Sequence, residues 1–323
     1  MRPLKLVPDN TNIQFLRYRI VALVLSVVLI LGSGVLVGVR GLNLGVDFVG
    51  GQMLRVQFAT PVDAEALRTT VDRLGLGEAT IQQFGSPRDM SIRLPLPPGG
   101  EEGANRAASQ VREAVGKAFP GARFDAVETV SGKVSGELFR TGAWALGLAM
   151  LGIALYIWFS FEWQFGVGAL FALFHDVALT FGFFALTQLD FDLNVVAAIL
   201  TIIGYSLNDT IVTYDRIREN LRKYRKMDMR TLLDLSVNET LSRTIVTSLS
   251  LIMTLGLLLA IGPDVIFGFT AAMLLGIIIG TFSSIYISAP ILLWLNVTGE
   301  SFVPKSGAEP GAERIGGAER RPD

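Results

Sequence analysis

The stretch LNVVAAILTIIGYSLNDTIVTY, Leu193–Tyr214, decides how this chain is read. As a helix rising 1.5 Å per residue it is long enough to cross about 30 Å of hydrocarbon. It carries a carboxylate, Asp209, near one end, and the next long apolar stretch, Arg243–Ile261, opens with a guanidinium. Each such group costs several kcal/mol within hydrocarbon. Residues of this kind persist where they face protein or water, usually because they move or sense charge. The pair therefore points to a membrane protein that handles protons.

Polar stripes run beside both residues. Thr201, Tyr205, Asn208 and Val212 share one helical face; Asp209 lies about 100° from Asn208, with Ser206 and Thr213 on its side. Arg243, Thr247, Ser250 and Thr254 form the stripe of the next helix. Helices striped in this way are expected to face each other or a hydrated seam rather than lipid. Three readings compete. The two charges form a static ion pair that locks two helices, or Arg243 merely snorkels to the headgroups. In the third, Asp209 binds and releases a proton while Arg243, which keeps its proton in proteins, biases that charge. His175 and Asp176, near the middle of another apolar stretch, pose the same choice between a proton relay and a satisfied interhelical hydrogen bond.

Composition agrees with a polytopic chain. Of 323 residues half are hydrophobic and only 18% are charged, below the roughly 25% usual for soluble domains. Cysteine is absent, which excludes disulfides, thiol catalysis and cysteine metal sites, and a single histidine makes a multi-histidine metal site unexpected. No HExxH, phosphate-cradling glycine loop or serine-histidine-acid order is present. Neither an enzyme site, a metal, a cofactor nor nucleic-acid binding is expected.

Six stretches are long enough to span: Ile20–Val39, Gly142–Phe159, Phe165–Thr187, Leu193–Tyr214, Arg243–Ile261 and Val265–Leu295. The last exceeds one crossing, so it should tilt or project past the membrane near Pro290. Basic residues cluster before the first span (residues 1–19), in a loop at 215–242 and in the tail. The positive-inside rule then puts both termini in the cytoplasm. The first span reads as an uncleaved anchor, since no small-residue cleavage site follows it. Residues 40–140 form the one large outer segment, and 141–297 complete the bundle. That segment alternates as strand Met53–Phe58, helix Asp63–Leu74, strands Ala79–Phe84 and Met90–Leu96, helix Asn105–Phe119 and strand Arg123–Val130. The order βαββαβ predicts a ferredoxin-like α+β domain. The tail from 298 to 323 reads as disordered. Four glycines in Gly41–Gly51, which also holds Asp47, demand unusual backbone angles or close backbone approach, with an ordinary turn as the bland alternative. Gly34/Gly38 and Gly276/Gly280 are small-xxx-small spacings that permit close helix packing.

Longer motifs add a resemblance. Gly204-Tyr205-Ser206-Leu207-Asn208-Asp209-Thr210, running on through Asp215–Asn220, resembles the fourth-span signature of the SecF family of bacterial protein-export membrane proteins. Asn238–Thr244 and Thr281–Tyr286 resemble its fifth- and sixth-span motifs, and Gly41–Gly51, with Gly45, Asp47, Gly50 and Gly51, its element after the first span. The likeness covers about Ile13 to Leu295. It implies a six-span accessory subunit of the Sec translocon, related to the resistance-nodulation-division transporters. Such a subunit pairs with a SecD-like partner and uses the proton-motive force to draw unfolded preproteins outward after SecA and SecYEG have threaded them. It further implies that Asp209 and Arg243 are the proton-transfer residues, while His175, Asp176, Tyr205, Asn208 and Thr247 stand as a possible secondary polar site. A static clamp of the translocon and a small-solute proton-coupled exporter are the alternatives.

Overall fold

The computed structural model describes residues 8, 11–83, 86–295 and 297. The expected disordered tail, 298–323, lies outside the described residues, as do Phe84 and the basic positions of residues 1–7.

A 3₁₀ turn at Phe15–Tyr18 leads into α1 (Arg19–Arg40), and a short helix α2 (Val46–Val49) sits inside the glycine-rich element. Then follow β1 (Gly51–Gln57), α3 (Ala64–Asp72), β2 (Thr80–Gln83), β3 (Asp89–Leu94), α4 (Gly100–Ala118) and β4 (Arg123–Val130). The bundle resumes with α5 (Gly132–Ser160), α6 (Trp163–Thr187), α7 (Leu193–Lys223) and α8 (Met229–Ile261). It closes with α9 (Phe267–Ser283), a π turn at Ser284–Ser288 and α10 (Ala289–Trp294). Side-chain caps start the helices where the sequence offers an acceptor: Asp63 for α3, Ser131 for α5, Asp192 for α7 and Asp228 for α8.

Among the described residues six helices are long and apolar enough to cross a membrane, as expected. Their burial sorts them. About half of the most apolar window of α6, of α7 and of the α9–α10 span is buried, against 11–17% for α1, α5 and α8. The first set forms the centre and the second a rim that presents apolar side chains outward. The last span stays a single run, widened by the π turn just before Pro290, whose missing N–H a regular helix could not use. Gly280 brings α9 onto α7: a Cβ there would stand 3.1 Å from the Ser206 Cβ. Gly34 and Gly38, by contrast, meet nothing within 4 Å.

Two boundaries are corrected. The basic segment 215–242 is not a loop: α7 continues to Lys223 and α8 begins at Met229. Hydropathy detects only the part of a helix that crosses hydrocarbon. Here both helices run on as amphipathic rods, burying Ile217, Leu221, Leu232, Leu233, Val237 and Leu241. Likewise residues 132–140, expected in the sheet domain, already belong to α5.

The sheet has the order β2-β3-β1-β4 with every neighbour antiparallel, the ferredoxin-like arrangement. Leu54, Val56, Ile92 and Leu94 pack against Leu67 and Val71 of α3 and Val111 and Val115 of α4. Charge on the sheet meets the bundle: the Arg93 guanidinium reaches Asp190 at 2.8 Å and the Leu44 carbonyl at 2.8 Å.

Candidate functional site in the bundle

Asp176 is the best-held charged group in the chain's interior. It is fully buried on α6, and its carboxylate accepts hydrogen bonds from Ser206 Oγ of α7 at 2.5 Å and Ser283 Oγ of α9 at 2.9 Å. His175 Nδ1 lies 2.9 Å from its other oxygen. Three central helices are thus tied at one carboxylate. His175 is 1% exposed and packs beside Phe282, and its Nε2 has no partner among the described residues. Sequence reasoning placed His175 and Asp176 in a span and Ser206 beside Asp209, but joined neither Ser206 nor Ser283 to Asp176. A lone serine in an apolar helix carries no signal of what it faces.

Asp209 is equally buried, at 2% exposure, yet differently supplied: its Oδ2 has no hydrogen-bond partner among the described residues. The Arg243 charge acts on it electrostatically, but no ion pair joins the two. The stripes of α7 and α8 do not pair face to face, but Val212 of the first and Arg243 and Thr247 of the second line one cavity, so the alternative expectation of a shared seam is the one that holds. Arg243, Thr247, Ser250 and Thr254 are exposed, and so are Thr201 and Asn208, so both stripes turn away from the bundle centre. Helical periodicity groups residues on a face without saying which way the face is rotated. Direct contact across α7, α8 and α9 runs through Tyr205, itself a member of the α7 stripe, whose hydroxyl lies 2.9 Å from Ser248 Oγ, which is 2.7 Å from Thr281 Oγ1.

Beside Arg243 a cavity of about 640 Å³ opens between α7 and α8, lined also by Asp215, Arg216, Glu219, Glu239 and Thr247.

At the opposite end of α7 the glycine-rich element is fastened down. Gly45 N donates to the Phe191 carbonyl and Phe191 N to the Asn43 carbonyl, both at 2.8 Å, while Asp47 accepts from Leu193 N at 3.1 Å. Gly50 and Gly51 take φ of 74° and 121°, and a Cβ on Gly51 would press to 2.6 Å from the Leu94 carbonyl. Both expectations for the glycines hold. Around this join Asn43 donates to Asp190 at 2.8 Å and to the Gln188 carbonyl at 3.0 Å, and Gln82 also donates to that carbonyl. Burial, aided by the neighbouring carboxylates Asp47 and Asp190, raises the Asp192 and Glu128 carboxyls above the ordinary range; Arg55 opposes this at Glu128, and hydrogen bonds from Val195 N and Asn194 oppose it at Asp192.

Comparison with known proteins places this arrangement. The family described as protein export membrane protein SecD/SecF, C-terminal, matches residues 110–298, and the SecD/SecF GG motif matches residues 35–62. A protein translocase subunit SecF from Rickettsia akari (strain Hartford) is 42% identical over 291 residues, covering 90% of this chain and 94% of its own length. This chain belongs to the SecF family. A SecF from Cereibacter sphaeroides is 44% identical over 300 residues, covering 91% of this chain and 93% of its own. The crystal structure of SecDF, a translocon-associated membrane protein, from Thermus thermophilus superposes with a TM-score of 0.82 at 32% identity over 91% of this chain. SecDF in its super-membrane-facing form gives 0.63 at 35% identity over 92%. The chain spans 40% of each SecDF chain. As a SecF-family chain with six spans, it is a multi-pass membrane protein and an accessory subunit for Sec protein translocation.

Proposed function

We propose that this subunit couples proton flow to the export of preproteins, together with a SecD-like partner, and that Asp209 is the group that takes up and releases the proton. The observation that carries the reading is the state of Asp209: buried in a membrane span, one oxygen without a partner, and a fixed positive charge nearby that is not locked to it. A carboxylate in that position changes charge without breaking an ion pair. The lack of an Asp209–Arg243 pair also argues against the static clamp, which needs the two as a pin. The exporter reading finds no support in the relatives, which are translocase subunits.

In this reading the sheet domain faces outward and both termini face the cytoplasm. The basic residues Arg216, Arg218, Arg222, Lys223, Arg225, Lys226 and Arg230 then lie on the cytoplasmic side. SecYEG and SecA act upstream, and the outer domain works on the unfolded chain as it emerges. Each charge crossing the membrane releases about 2.3 kcal/mol per 100 mV, enough to bias a two-state arrangement of the bundle.

Asp209→Asn keeps the shape and removes the titratable charge. In membrane vesicles containing the mutant with its SecD-like partner, potential-driven preprotein export should be abolished while assembly stays normal. Export at the wild-type rate would remove Asp209 from the mechanism.

A further inference from the structure

The cavity between α7 and α8 has an ordered lining. Its residues can be placed in depth if Ile261, the end of α8, marks the hydrocarbon boundary next to the sheet domain. Counting back at 1.5 Å per residue, Thr247 lies about 21 Å, Arg243 about 27 Å and Glu239 about 33 Å from that boundary. In hydrocarbon about 30 Å thick, Glu239 stands at the far headgroup level and Thr247 about 9 Å inside it. All three line the one cavity. A space lined largely by polar and charged side chains therefore runs from the membrane surface past Arg243 to Thr247 inside the hydrocarbon layer.

Glu239 is held at the mouth in a specific way. Its Oε2 accepts from Asn220 Nδ2 at 2.7 Å and lies 3.1 Å from Arg216 Nε. The same Arg216 binds Glu219 Oε2 at 2.6 Å, and Asn220 is fixed in turn by Ser236 Oγ at 3.0 Å. Lys223 acts on Glu239 from further along α7, and Arg243 lies one turn along α8. One arginine shared between two carboxylates leaves a carboxylate oxygen that remains wet, at 30% side-chain exposure, without being loose. Between mouth and inner end the cavity contains the exposed Arg243 guanidinium, about 3 Å inside the layer by the same count, with no ion-pair partner among the described residues. Such a group needs water or headgroups around it, and the polar lining that continues inward to Thr247 favours water.

We infer that this cavity is a water-filled vestibule through which protons pass between the cytoplasm and the Asp209–Arg243 region, with Glu239 as the carboxylate that exchanges them at its mouth. The inference rests on the proton-coupled reading above and on the orientation proposed there. Val212, three residues along α7 from the buried Asp209, lines the cavity, so a proton released by the Asp209 carboxyl passes beside it onto vestibule water, which hands a proton to the Glu239 carboxylate. Glu239 releases one proton to the cytoplasm and returns to its starting state. Arg243, positive throughout, lowers the concentration of excess protons beside it, and the gradient across the membrane sets the direction of net flow.

The chain has no cysteine, so single cysteines report on the vestibule directly. In inside-out vesicles containing the complete complex with the SecD-like partner, Thr247→Cys should react with a membrane-impermeant maleimide added to the cytoplasmic face. Its rate should be comparable to that of Ser242→Cys at the mouth. Met253→Cys, exposed deeper on the same helix, should stay unlabelled. Labelling of Thr247→Cys no faster than Met253→Cys would mean that the partner fills the cavity, and the vestibule is overturned whatever Asp209 does. The second arm measures proton flux through the reconstituted complex against cytoplasmic-side pH. Glu239→Gln should lower flux at least about tenfold and flatten the pH profile, as loss of a proton-transfer group does. Glu239→Asp should restore both, which a merely structural role for the side chain does not predict. If Glu239→Gln leaves flux and profile unchanged while Asp209→Asn abolishes flux, the role of Glu239 falls and the proton-coupled reading stands. If Asp209→Asn also conducts normally, both fall.

Discussion

Asp176 and Asp209 are two carboxylates at equal burial in neighbouring helices, and the bundle treats them oppositely. Asp176 has Ser206, Ser283 and His175 around it, drawn from its own helix and two others. Asp209 has one oxygen with no partner and a guanidinium that stops short of pairing. Burial alone is costly for both. The satisfied group is held in one geometry, because moving it would strand two hydroxyls and an imidazole. The unsatisfied group has little to lose when its charge changes. In the proposed reading, the comparison separates a carboxylate held in place from one free to change its charge.

The largest test removes each carboxylate in turn. Asp176→Ala should destabilise the protein by about 1–3 kcal/mol or more, the usual cost of leaving a buried polar partner unmatched. Asp209→Ala should leave thermal unfolding in detergent nearly unchanged. Equal losses of stability would collapse the distinction.

Arg243 sharpens the functional side. Lysine keeps the charge without the planar fork, and methionine keeps bulk alone. Arg243→Met should reduce potential-driven export at least about tenfold, near 1.4 kcal/mol, whereas Arg243→Lys should retain part of it. Wild-type export by both variants would leave the guanidinium as a snorkelling anchor.

The smallest expected effect lies at the join between sheet and bundle. Burial holds Glu128 and Asp192 more readily protonated in the docked domain than when it swings free. A raised carboxyl favours the docked state as pH falls and weakens it as pH climbs through the raised value. Acidifying the side that carries the sheet domain, to just above the ordinary carboxylate range, should therefore slow hydrogen exchange across β2 and β3. The gain should stay under about 1 kcal/mol because Glu128 is partly exposed and screened. Exchange that quickens on acidification, after correction for intrinsic rates, would reverse the assigned role of these carboxyls.

How much of this was legible in the sequence follows from which signals are local. Six apolar runs of spanning length and the βαββαβ alternation are properties of consecutive residues, and both appear in the fold. The glycine-rich element was also legible, since positive φ at Gly50 and Gly51 is a demand on one residue at a time. The helical extensions of α7 and α8 were not, because their apolar residues recur at helical spacing among charges and the average hydropathy falls. Neither was the join of Arg93 to Asp190, which are 97 positions apart.

The sequence by itself determined that two charged residues sit in membrane spans and which family motifs carry them. Only the tertiary structure decided that Asp176 is satisfied by Ser206 and Ser283, that Asp209 Oδ2 has no hydrogen-bond partner among the described residues, and that the Arg243 stripe turns outward onto a cavity. The reason is geometric. Sequence period fixes which residues share a helical face, but the rotation and crossing of helices fix what that face meets, and many rotations are compatible with one period.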